Sequence, residues 1–205
     1  MSVPTLFVMP KNTLFSMGLP SAKNTFYQLP PDALIQQCNE RKKRALQNRG
    51  ALVTDSNHSP VNYFVPDSVT NAKIDCSDNI QPIEEKVFDR LYRKMIEHLG
   101  VKEIWIRDSY YAEAASRLYI RSISEDPAGD LFVYNMFLHP TEKDIENFNP
   151  DWYIIHTPAF FAEPETDGIG QHSFTIVNFT RKVILIGGKA YDNEIKKMIF
   201  CILSR

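Results

Sequence analysis

Phe174-Thr175-Ile176-Val177-Asn178-Phe179-Thr180-Arg181-Lys182-Val183-Ile184-Leu185-Ile186-Gly187-Gly188 is the stretch whose reading decides the fold. Two apolar runs rich in β-branched residues flank the polar step Thr180-Arg181, the pattern of two paired strands with a tight connection. Gly187-Gly188 closes the second strand. A helix is expected from about Asn193 to Leu203, where the apolar residues take a helical spacing. Strands and helices mixed in this way upstream as well predict one α/β domain, a mixed sheet with flanking helices.

Working back from there, Trp152 to His156 reads as a strand, followed by a Pro- and Gly-bearing loop over 158–170. Leu131 to Leu138 reads as a helix, and Thr141 as the N-cap of a short one. Glu103 to Arg107 and Arg117 to Ile123 alternate polar and apolar residues, as half-buried strands do. Ile83, Val87, Leu91, Met95 and Leu99 line one face of a helix, with Pro82 as its first residue and Gly100 as its stop. Pro66 to Gln81 is polar and turn-rich. Tyr63 to Val65 and Ala51 to Thr54 are short strands. Pro31-Asp32 opens a helix whose body runs from Ala33 to about Asn48, ended by Gly50, with Arg41 to Arg44 as a solvated face. Residues 1–28 form an irregular lead-in punctuated by prolines, and 29–205 form the domain. Trp105 and Trp152 are expected in the core.

The sequence has 205 residues, 43% of them hydrophobic and 12% aromatic, enough to bury a core without metal or disulfide. A net charge of −2 argues against a protein that coats nucleic acid. Cys38, Cys76 and Cys201 are odd in number and widely spaced, which predicts reduced thiols in a cytoplasmic setting. The start, Met1 to Lys11, lacks the basic and long apolar regions of a secretory signal. No stretch is long enough to span a bilayer. His139, His156 and His172 lack ligand spacing and are expected on the surface or in loops. No GxxxxGK[ST] phosphate loop, GxGxxG turn or GxSxG elbow occurs.

The richest chemistry follows the second strand. A Gly-Gly turn at a strand end lets backbone N–H groups come close to an anion. Tyr191, Glu194, Lys196 and Lys197 follow within the next turn and helix, and the lysines would add charge for a carboxylate or phosphate. The plainer alternative is a turn followed by a lysine-rich helix face.

Leu185-Ile186-Gly187-Gly188-Lys189-Ala190-Tyr191-Asp192-Asn193-Glu194-Ile195-Lys196-Lys197-Met198-Ile199-Phe200 closely resembles the Leu-Ile-Gly-Gly-Thr-x-Tyr-x-Gly-Glu-Ile-Lys-Lys-Gly-Ile-Phe segment of ATP-dependent phosphoenolpyruvate carboxykinase. Further blocks resemble that family in the same order. They include Gly50 to Val53, Gln81-Pro82-Ile83 with Phe88 to Leu91, Arg107 to Tyr110, Arg117 to Arg121, Asn135 to Thr141, Pro158 to Phe160, Asp167-Gly168 and Asn178 to Lys182. The resemblance runs from about Leu29 to Ile202.

The resemblance implies the N-terminal domain of that enzyme, the part that holds oxaloacetate and phosphoenolpyruvate. The family uses ATP with Mg and Mn in gluconeogenesis, and its second domain, expected beyond Arg205, carries the phosphate loop and further metal ligands. By the same resemblance Tyr191 contacts substrate, Lys196 lies beside it, and Lys197 is the lysine that ligates manganese. The family's Thr-Gly-Arg-Ser-Pro-Lys-Asp-Lys is matched by Ser56-Asn57-His58-Ser59-Pro60-Val61-Asn62-Tyr63. Its substrate-gripping Arg is therefore His58 and its two Lys are Val61 and Tyr63. Imidazole cannot fork onto a carboxylate as guanidinium does. The family's Asp-Gly-Thr-Arg is Asp167-Gly168-Ile169-Gly170, and the Gly and Ser near the chain's end are Met198 and Cys201.

The expectation is a truncated relative, inactive by itself, with no cofactor of its own. The alternatives are a dicarboxylate-binding or regulatory module and the substrate half of a split enzyme. Partners would be oxaloacetate or phosphoenolpyruvate held weakly, a second copy, or a carboxykinase or nucleotide domain, and neither nucleic acid nor membrane. An uncovered apolar patch is expected at Ile199, Phe200, Ile202 and Leu203.

Overall fold

The computed structural model describes residues 14, 17–19, 24–47, 61–67, 80–111, 117–188 and 193–203. In chain order the elements are β1 (Asn24–Tyr27), α1 (Pro31–Gln47), β2 (Val61–Val65), β3 (Ile80–Pro82), α2 (Glu85–Gly100), β4 (Glu103–Tyr111) and β5 (Leu118–Ser124). Then come α3 (Pro127–Met136), α4 (Glu142–Glu146), β6 (Trp152–Thr157), α5 (Pro164–Asp167), β7 (Phe174–Asn178), β8 (Val183–Gly187) and α6 (Asn193–Leu203). The strands form one mixed sheet in the order β1-β4-β5-β6-β8-β7-β2-β3. The β4–β5 and β7–β8 pairs are antiparallel, and β5, β6 and β8 run parallel.

Helices cover both faces. On one, α2 buries Val87, Phe88, Leu91, Met95, Ile96 and Leu99 against Ile106, Ile123, Ile155, Ile176 and Leu185. Each such side chain contributes about 1.5–3 kcal/mol relative to exposure. On the other face, Val133 of α3 and Ile195, Met198 and Ile199 of α6 pack on Ile120, Ile154, Val177, Ile184 and Ile186. Successive strand residues point to opposite faces, so strands covered on both sides must be apolar throughout.

Helix starts carry local reasons. Asp126 caps α3 by accepting from the Ala128 amide at 3.2 Å, and Pro127 takes the first helical position, where no N–H is needed. Thr141 and Asp144 form a reciprocal capping box at α4, as the sequence leads one to expect of Thr141.

The structure departs from the sequence reading in several places, among them α3, which runs over Pro127–Met136 where Leu131 to Leu138 was expected. Asn24 to Tyr27, within the stretch read as irregular, is an edge strand paired with β4. Pro82 ends β3 instead of opening α2, which starts at Glu85. Proline suits an edge strand as well as a first helical turn. The strands β4 and β5 are buried on both faces, because their charged residues are paired, Asp108 with Arg121 across the strands and Arg107 with Asp130 of α3. Arg121 holds Asp108 through two bonds of 2.5 and 2.6 Å, and Arg107 holds Asp130 at 2.6 and 3.0 Å. His156 is buried, 7% exposed. Cys201 is disulfide-bonded, against the expectation of reduced thiols, whereas Cys38 is free. Trp105 and Trp152 are core residues, 2% and 6% exposed. The expected strand Ala51 to Thr54 and the helix stop Gly50 lie outside the described residues.

Candidate functional site

Strand register fixes which segments meet. Gly187 at the end of β8 is the Cα partner of both Thr157 and Phe174, and Phe174 is the partner of Val61. The last residues of β6 and β8 therefore share one sheet end with the first residues of β7 and β2. Ligands of open α/β sheets gather where parallel strands end. His58 precedes Val61 and Tyr191 follows Gly187 in sequence, and both of these expected site residues lie outside the described residues.

The Gly-Gly turn is required by close packing. A β-carbon on Gly187 would lie 2.5 Å from the Phe174 ring. Gly188 has φ +74 and its amide donates to Thr157 O at 3.2 Å. That positive φ is open to glycine and strained for other residues. The turn thus ties β8 to β6 and sends the chain toward α6.

Of the two lysines on α6, Lys196 is exposed. Lys197 donates to Glu194 Oε1 at 2.6 Å, with the lysine side chain 51% exposed and the glutamate side chain 4%. Among the described residues no group of three His, Cys, Asp or Glu side chains is arranged to hold a metal ion. In this structure Lys197 serves as the ion-pair partner of Glu194.

Two further positions of the family pattern meet in space. The Gly170 amide donates to the Tyr63 hydroxyl at 2.9 Å. These are positions where the resemblance gives the family an Arg and a Lys. Here a neutral hydrogen bond joins them, and Tyr63 is 3% exposed within the core under α2. Asp167 keeps a structural role, because Oδ2 accepts from the Glu163 amide at 2.9 Å and Oδ1 meets Lys94 at 2.7 Å.

The same sheet end carries a polar group that spacing did not disclose. Ser124 Oγ lies 3.2 Å from His156 Nδ1. Glu125 Oε2 meets His98 Nε2 at 2.7 Å, while its Oε1 accepts from the Ala159 amide at 2.6 Å. The members come from α2, β5 and β6 and the loops that follow these strands. No local sequence signal could have gathered them. Ser124 is 3% exposed and also bonds the backbone of Asp126, so it ties strand ends to α3 and is not placed to attack a substrate. His139 and His172 are exposed, as expected.

Two clefts lie apart from this sheet end. One of about 430 Å³ is lined by Val65, Pro66 and Pro82 to Glu85, and one of about 310 Å³ includes Arg107, Asp108, Tyr134 and His139. Arg107 and Asp108 are each engaged in a buried ion pair, so the second cleft offers no free charge from its floor.

Comparison with known proteins gives a match to the family described as Phosphoenolpyruvate carboxykinase over residues 23–204. A Phosphoenolpyruvate carboxykinase (ATP) of Christiangramia forsetii is 40% identical over 184 residues, covering 87% of this chain and 35% of that protein. One from Amoebophilus asiaticus is 36% identical, covering 93% and 38%. One from Flavobacterium johnsoniae is 35% identical, covering 96% and 39%. The chain thus spans less than two-fifths of the length of these relatives. With the match extending over nearly all of its sequence and the mixed α/β sheet in place, the chain belongs to the phosphoenolpyruvate carboxykinase family.

Proposed function

We propose that these 205 residues are the substrate-side part of a carboxykinase fold that has lost its grip on the dicarboxylate and does not catalyse the reaction by itself. The observation that carries this reading is the Gly170–Tyr63 bond, a neutral pair at two positions where the family resemblance places cations. His58 in place of the family's arginine acts in the same direction. A forked, charge-assisted contact is exchanged for a ring that cannot fork onto a carboxylate. Lys197, engaged with Glu194, supports a structural use of the lysine that the resemblance would give to manganese. We take no cofactor to be held by these residues alone.

What the fold keeps supports a weak dicarboxylate site: the Gly187-Gly188 turn and the exposed Lys196 at one sheet end. Phe200 and Leu203, 61% and 38% exposed on the outer side of α6, support pairing with a further protein surface, such as a nucleotide domain. Ile199, expected in that patch, is instead core at 1% exposed. No described helix is long and apolar enough to cross a membrane. We place the chain in the cytoplasm on the strength of its family. The Cys201 disulfide is the opposing feature, and thiol titration of protein from unbroken cells reads it.

The test is a carboxykinase assay with ATP, Mg and Mn on the chain alone and mixed with the separately produced nucleotide domain of a relative. The reading expects no turnover from the chain alone, and turnover there overturns it. Turnover that appears only in the mixture identifies the chain as the substrate half of a split enzyme.

A further inference from the structure

Four buried side-chain oxygens have no hydrogen-bond partner among the described residues: Asn62 Oδ1, Asp167 Oδ1, Thr175 Oγ1 and Glu194 Oε2. The first explanation to try is an ion pair, and it accounts for one of them, since the Lys94 ammonium lies 2.7 Å from Asp167 Oδ1. The other three belong to one layer of the molecule.

Side chains alternate along a strand. Tyr63 and Val65 of β2, and Phe174 and Ile176 of β7, point into the core under α2. Phe64 and Val177 point into the core under α6. Asn62 and Thr175 therefore face the side of the sheet that α6 and α3 cover. They are Cα partners on adjacent parallel strands. Strand spacing of about 4.8 Å sets two such side chains within the span of one bridging molecule. Glu194 stands in the first turn of α6, the helix that covers this face. Asn62 and Thr175 are each the second residue of their strands, at the sheet end where β8 finishes and the chain proceeds to α6. The three residues are 7%, 0% and 3% exposed.

Leaving such oxygens unbonded is costly, and more so for a carboxylate. Their chemistry specifies the occupant. Asn62 Oδ1 and Glu194 Oε2 can only accept, whereas the Thr175 hydroxyl can donate. A water molecule has two protons to give and a lone pair to take one, and three hydrogen bonds are usual for a buried water. Glu194 already has a counter-charge in Lys197, so a cation would bring excess charge into an apolar layer.

We propose that one ordered water is bound between the sheet and α6, donating to Asn62 Oδ1 and Glu194 Oε2 and accepting from Thr175 Oγ1. The hydrogen-bonded chain then runs from Thr175 through water and Glu194 to Lys197. It joins the start of β2, next to His58 in sequence, to the start of α6, next to Tyr191. The water fixes the start of β2 relative to the start of α6. This inference does not depend on whether that site binds a dicarboxylate.

The direct test is a crystal structure of the full chain near 1.5 Å resolution, with oxygen-17 relaxation dispersion of the same protein and of T175V counting long-lived buried waters. We expect density for one oxygen within roughly 2.6–3.2 Å of all three atoms, and one fewer long-lived water in T175V. Direct bonds among the three side chains overturn the proposal. So does a cation with contacts below about 2.5 Å, or equal water counts in a folded T175V. If T175V does not fold, the density in the unmodified chain decides alone, and its absence at the three oxygens counts against the water.

Discussion

The amide of Gly170 and the hydroxyl of Tyr63 are joined at 2.9 Å, across 107 residues of sequence. This bond lets two changes from the family pattern be understood together. Glycine at one position leaves the Tyr63 hydroxyl room beside the backbone amide, 3.4 Å from where a β-carbon would stand, and tyrosine at the other puts an aromatic ring into the core under α2. Replacement by Y63F should cost about 0.5–1.5 kcal/mol, the net worth of a neutral hydrogen bond. Y63K alone should cost more, because it would bury an ammonium without a counter-charge. Urea denaturation of the two variants measures both, and equal effects would show that the hydroxyl bond carries no weight.

Lys197 should behave as a structural residue. Removing its charge in K197M leaves the carboxylate of Glu194 in a nearly closed site, a loss on the order of 1–3 kcal/mol reduced by the lysine's partial exposure. A lysine kept only for ligand contact would give a neutral or stabilised K197M. Thermal melting without any ligand separates the two.

The parts of the fold legible in sequence were those with a period of their own. Helix α2 repeats its apolar residues over several turns, and the spacing that predicts α6 from about Asn193 to Leu203 matches its observed bounds. The edge strands β1 and β3 were not legible, because Asn24 to Tyr27 and Ile80 to Pro82 are too short to display alternation and acquire their identity from β4 and β2. Arg107 and Arg121 have the linear pattern of the wet side of half-buried strands. Their counter-charges are supplied by cross-strand register and by Asp130 on α3, which a linear pattern does not reveal. For the site, the Gly-Gly turn and the lysines were legible as a cluster. The engagement of Lys197 by Glu194 and the meeting of Gly170 with Tyr63 were not.

Gly187 is expected to tolerate no side chain. A methyl group in G187A would overlap the Phe174 ring, which is itself fully buried, so neither can give way cheaply. Overpacking of this kind costs about 1–3 kcal/mol. Coupling with F174L, which makes room, should recover part of the loss. If G187A melts with the unmodified chain, the close approach of β7 and β8 at this end is wrong.

Acid should unfasten the start of α4. The Thr141 hydroxyl and amide hold the Asp144 carboxyl below its ordinary range. A carboxyl depressed in this way adds stability that is present above its unfolded pKa and is lost as pH falls through the lower, folded value. T141A should therefore lower the melting temperature at pH 7, and its gap from the unmodified chain should close in strong acid. A gap that is the same at pH 7 and pH 2 would contradict the capping box.

The central claim is that the dicarboxylate grip has been lost at His58. Calorimetric titration of phosphoenolpyruvate into the unmodified chain and into H58R tests it most directly. The account predicts little or no heat at millimolar ligand from the unmodified chain, and binding in H58R tighter by about tenfold or more, the worth of a charge-assisted pair. Micromolar binding by the unmodified chain, left unchanged by H58R, would contradict it.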